Sequence, residues 1–142
     1  YLTKKIKGKE LLTYVPAQIL GCLLGVMLAN VFFEHSIIEL STKNRDGFHI
    51  FLSEIVATFG LIFIIFATLK DGKTTVAACV ATYISAGYWF TSSTSFANPA
   101  VAIARTFTDS FTGINYLNTP TYIFAELLGA IVAIYIIKRL IK

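Results

Sequence analysis

Few residues in this sequence could do chemistry, and most of them lie in one run, Thr94-Ser95-Phe96-Ala97-Asn98-Pro99-Ala100-Val101. Pro99 suits the first turn of a helix, where its missing N–H costs nothing. Asn98 stands at the N-cap position before it, able to accept from the free amides behind and to turn its own NH2 outward. The chemistry on offer is hydrogen bonding: a ladder of backbone carbonyl acceptors, an amide donor, and the positive end of a short helix that opposes cations. Groups that make or break bonds are lacking. There is no Ser-His-Asp set, no phosphate-cradling glycine loop and no pair of catalytic carboxylates, so no enzyme is expected. His35 and His49 have no Cys or carboxylate at metal-ligand spacing and read as surface residues, so neither a metal nor a cofactor is expected.

Two more residues stand out because an ionisable group in an apolar run faces the bundle interior by default. They are Glu54, alone in 50–69, and Glu126, alone in 117–137. Glu126 has a neutral counterpart. The segment Tyr14-Val-Pro-Ala-Gln-Ile-Leu-Gly21 echoes Tyr122-Ile-Phe-Ala-Glu-Leu-Leu-Gly129, which places Gln18 against Glu126. Both positions then read as hydrogen-bonding braces.

The elements that hold these residues follow from composition. Of 142 residues, 56% are hydrophobic and 14% charged, and the mean hydropathy is +0.70, which excludes an ordinary soluble domain. Twelve Lys and Arg against eight Asp and Glu give +4, a charge better suited to a membrane surface than to nucleic acid. Charges are confined to short segments, leaving 11–33, 50–69, 74–92 and 117–137 as spans. The uncharged run 74–104 would measure ~45 Å as one helix, too long for a single crossing. It must break at 91–95, with a re-entrant half-helix over 98–107. Irregular backbone at membrane depth must be buried in protein or line a watery cavity. The whole of 1–142 reads as one transmembrane domain, all-α, with four spans and one half-helix.

Lys4, Lys5, Lys7 and Lys9 precede the first span, Lys70 and Lys73 follow the second, and Lys138, Arg139 and Lys142 follow the last. The positive-inside rule puts these segments and the carboxy terminus in the cytoplasm. The two echoed helices then run in opposite directions, a pattern of membrane transport proteins. Gly21 and Gly25, and Ala125, Gly129 and Ala133, offer small-residue faces for close helix contact. Cys22 and Cys79 read as small buried hydrophobes. The first residue is Tyr and not Met, so further chain upstream is expected.

The run around Asn98-Pro99-Ala100 resembles the second Asn-Pro-Ala loop of the aquaporin, or major intrinsic protein, family of water and glycerol channels. Tyr14, Ala17-Gln18 and Gly21, and Glu54 four residues into the next span, resemble that family's third and fourth helices. The resemblance covers the whole chain, from the family's third helix to its sixth, and leaves out two helices and the first Asn-Pro-Ala loop. It implies an aquaporin-like helical bundle, a homotetramer in a bacterial inner membrane, and a passive pore for water or small neutral solutes. It also implies that Glu54 accepts hydrogen bonds from backbone amides of the loop. The family places an Arg directly after Asn-Pro-Ala; here that place is Val101, and Arg105 comes one helical turn later, ~5.4 Å on. Counted from Asn98, Ser95 and Ala86 fall where the family has filter residues. A wider filter follows, suited to glycerol, urea or undissociated metalloid hydroxides, and the run resembles bacterial members linked with arsenic resistance. The alternatives are half of a secondary transporter with a broken helix at its site, or a truncated membrane fragment that does not conduct.

Overall fold

The computed structural model describes residues 7–140; Lys4, Lys5 and Lys142, used in the charge argument, lie outside them. All regular structure among the described residues is helical: α1 (Gly8–Phe32), α2 (Phe48–Thr68), α3 (Lys73–Phe90), α4 (Pro99–Ala104) and α5 (Thr119–Leu140). Single 3-10 turns follow α2, over Leu69–Asp71, and α4, over Arg105–Phe107. Three helical stretches, Gly8–Phe32, Phe48–Asp71 and Thr119–Leu140, are long and apolar enough to cross a membrane. This is an integral membrane protein. α3 is not among the three, because Thr74, Thr75, Thr82 and Ser85 dilute its apolar content. Two of these hydroxyls are turned back onto the preceding turn, Ser85 to Ala81 O and Thr75 to Asp71 O.

The chain forms two compact units that alternate in sequence. One holds Tyr1–Arg45 and Asn98–Pro120, the other Asp46–Ala97 and Thr121–Lys142.

In the first unit α1 packs against the short α4. Glu10, at the third position of α1, reaches back to the Lys7 N–H at 2.9 Å and so satisfies a free amide of the first turn. Ala100, Ala102 and Ala104 of α4 are all buried, and side chains this small let the two helices approach. Beyond α1 the outer connection is laced to the segment after α4. Ser41 N–H donates to Thr106 O, Asn115 N–H to Lys43 O, and the Arg45 guanidinium to Gly113 O and Phe111 O. Gly113 is required here, since a Cβ would lie 2.1 Å from Thr108 O.

In the second unit α2 packs against α3 and α5. Tyr83 of α3 donates its hydroxyl to Ala57 O at 3.0 Å, and a Cβ at Gly60 would collide with that same ring. Phe51 and Phe124 stack at 6.1 Å between ring centres. Gly129 of α5 sits directly on the α2 backbone, where an added Cβ would come within 2.5 Å of Ile55 O. Of the small-residue faces read from the sequence, this one makes a close helix contact. Gly21 and Gly25 do not: a Cβ at either would meet nothing within 4 Å. The echoed segments also differ in setting, with Tyr122 buried at 1% exposure and Tyr14 exposed at 59%. Among the described residues only the second copy has a neighbour to face, so similar sequence does not give equal burial.

Candidate functional site

The second unit holds the approach to the half-helix. α3 ends at Phe90, and the Thr91 N–H and hydroxyl both return to Gly87 O. The chain then runs through Thr94, Ser95 and Ala97 with φ of 62°, 50° and 51°. Left-handed backbone at residues other than glycine costs ~1–2 kcal/mol each, so something must hold it. Glu54 does. It is 0% exposed, and its two carboxylate oxygens accept from the Phe96 N–H, at 3.3 Å, and from the Ala97 N–H. A carboxylate accepting from backbone amides makes charge-assisted bonds, about twice as strong as neutral ones. Tyr122 adds a hydroxyl bond to Ser93 O at 3.4 Å and a ring contact to Phe96 at 4.8 Å. Ser92 N–H donates to the hydroxyl of Ser53, the residue before Glu54.

Ser95 is buried against α3 at Gly87, where an added Cβ would fall 2.6 Å from its Oγ. Ala86, the preceding residue, is exposed. The hydroxyls of Thr58, Thr94 and Ser95 are buried with no hydrogen-bond partner among the described residues. Glu126 is 1% exposed, one turn before Gly129 on α5.

The first unit holds the half-helix itself. Asn98 caps α4: its backbone is extended, and its Oδ1 accepts from the Ala100 N–H at 2.9 Å. Pro99 occupies the first turn. Val101 and Arg105, one turn apart, face Cys22, Gly25, Ala29 and Asn30 of α1 across a cavity of about 270 Å³. Thr108, Ser110 and Thr112 give it hydroxyls beyond Arg105. Gln18, one turn before Cys22, is exposed with no hydrogen-bond partner among the described residues. The brace expected there is not formed by this stretch of chain.

Asp109, outside the spans, ties the rim together. It accepts from the Thr42 N–H at 2.9 Å, from the Thr42 hydroxyl at 3.1 and 3.2 Å, and from Ser41 Oγ at 3.3 Å. The Thr42 amide, aided by the Thr42 hydroxyl, the Lys43 charge and Ser41, holds the carboxyl below its ordinary pKa against partial desolvation. A depressed pKa stabilises the folded rim above the unfolded value and loses that contribution as pH falls through the folded one. The rim is therefore expected to be tied at neutral pH and released only in strong acid. Asp109→Asn should accelerate tryptic cleavage after Lys43 several-fold at neutral pH, and an unchanged cleavage rate would deny Asp109 this role.

The sequence missed Asn30 and Gly87. For Asn30 a signal was present, since an amide in the last turns of an apolar helix must find partners or lose several kcal/mol. Nothing in the periodicity announces Gly87, whose contact is with Ser95 in the loop that follows α3.

No family model matches the chain, and no solved structure matches it. One curated relative does: Aquaglyceroporin AqpS of Rhizobium meliloti (strain 1021), 42% identical over 141 residues, which is 99% of this chain and 60% of that protein. The chain is similar to this aquaglyceroporin along nearly its whole length and spans 60% of the length of that relative. The all-α class read from the sequence is the one observed among the described residues.

Proposed function

We propose that this chain is of the aquaporin family and forms the larger share of a passive channel for water and small uncharged solutes of the glycerol type. The observation that carries the reading is the broken helix. A strained run held by a buried carboxylate leads into a half-helix that Asn98 caps, and such backbone at membrane depth has a use where it lines a cavity. Ser95, Asn98, Pro99, Ala100 and Val101 form the pore wall in this reading. Arg105 stands at its outer mouth, Ala86 at a filter position, and Glu54 and Glu126 brace it from behind. The basic helix ends and the carboxy terminus lie on the cytoplasmic side of a bacterial inner membrane. The family resemblance supports a homotetramer.

The test is stopped-flow shrinkage and swelling of vesicles containing the protein made from its full coding sequence. Glycerol and water flux above that of empty vesicles, indifferent to imposed proton or sodium gradients, is the expected result. Flux that follows such a gradient would replace the channel with a coupled carrier, and no flux would remove it.

The identity of residue 101 should set the solute. Val101→Arg adds a long cationic side chain to a cavity of about 270 Å³ that Arg105 already lines. Glycerol flux is expected to fall about tenfold, the change that ~1.4 kcal/mol of added barrier produces, while water flux falls less. Equal loss of both solutes would show that position 101 does not control width.

A further inference from the structure

The half-helix ends in the 3-10 turn Arg105–Phe107, and helix ends leave carbonyls that must find partners. Here all three find them. Arg105 O accepts from the Ile114 N–H at 3.2 Å, Thr106 O from the Ser41 N–H at 2.9 Å, and Phe107 O from the Glu39 N–H at 3.3 Å. Phe107 O has a second donor, the Asn30 amide at 3.0 Å, and the same nitrogen donates to Ile37 O at 3.2 Å. Asn30 belongs to α1, is 2% exposed, and lines the cavity together with Val101 and Arg105. One NH2 group thus fixes the exit of α1 and the end of the Arg105 turn to a single point on a membrane helix. A carboxylate there would turn lone pairs toward two carbonyls, and a methyl would leave the turn held only by the outer connections.

We propose that Asn30 is a positioning residue for solute size: through Phe107 it sets where Arg105 stands across the cavity, and so the largest uncharged polyol that passes. This rests on the channel reading. The effect belongs to a ratio of solutes, because a shifted Arg105 changes the width of the mouth for a five-carbon polyol more than for glycerol.

The experiment measures water, glycerol and ribitol flux in vesicles holding the full-length protein, comparing Asn30→Ala, Arg105→Ala and the double variant. Asn30→Ser, which keeps one shorter donor, serves if Asn30→Ala does not fold. The ribitol-to-glycerol ratio is expected to change about threefold or more in Asn30→Ala, and adding that substitution to Arg105→Ala should change it no further, as for two residues acting through one contact. A residue that only supports folding would scale all three fluxes together. A ratio unchanged in both Asn30 variants, or effects that add in the double variant, would overturn the proposal while the channel stands. A wild-type protein silent to every solute would overturn the channel reading and this proposal with it.

Discussion

Replacing Glu54 with Leu is expected to abolish flux and to lower the thermal unfolding midpoint by the largest amount of any single change in the second unit. The carboxylate has 0% exposure and two backbone donors, the Phe96 and Ala97 amides. Without it both amides are buried and unsatisfied at about 1–3 kcal/mol each. The left-handed turn at Thr94, Ser95 and Ala97 then loses its main support as well. Against a typical stability of about 5–15 kcal/mol, that is a large fraction. Glu54→Gln keeps one acceptor of similar shape and exchanges the other for a donor facing a donor, so one amide is lost, not two. It should unfold at an intermediate temperature and retain measurable flux. Unfolding curves in detergent and vesicle flux together separate the possibilities. A Gln variant that folds as the wild type does and carries nothing would show that the charge itself serves transport and that bracing is secondary.

The second large effect concerns one atom of added bulk. Gly129→Ala places a Cβ 2.5 Å from Ile55 O and 3.2 Å from both Ile55 C and Phe59 N, all of them backbone that cannot rotate aside. α2 and α5 must move apart, and overpacking of this kind costs about 1–3 kcal/mol, with more for larger side chains. The displaced stretch of α2 begins next to Glu54, so the damage should reach the loop that Glu54 holds. A lowered unfolding midpoint is the expected outcome. A harmless Gly129→Ala would mean that α2 and α5 do not approach this closely.

The all-helical fold was legible because apolar runs bounded by lysines leave a membrane protein little other choice. The half-helix start was legible for a local reason: proline and the asparagine before it write a cap into two adjacent residues. Glu54 declared itself by being a charge in an apolar run. What stayed hidden depends on neighbours far along the chain. Gln18 and Glu126 look equivalent in sequence, yet one is exposed and the other buried, because burial belongs to the surroundings and not to the segment. The same holds for Tyr14 and Tyr122, and for the glycines that follow them. Asn30 needed a partner 77 residues away, and no periodicity reports such a pairing.

The alternation of the two units along the chain has a consequence for biogenesis. α1 leaves the ribosome well before the half-helix it packs against, and the Asn30 to Phe107 bond spans 77 residues. At about 5–20 residues per second of synthesis, α1 waits roughly 4–15 s in the bilayer before that bond can form. The half-helix, too short and too polar at its start to stand alone in lipid, is made only after α1, the helix it packs against, is already in place.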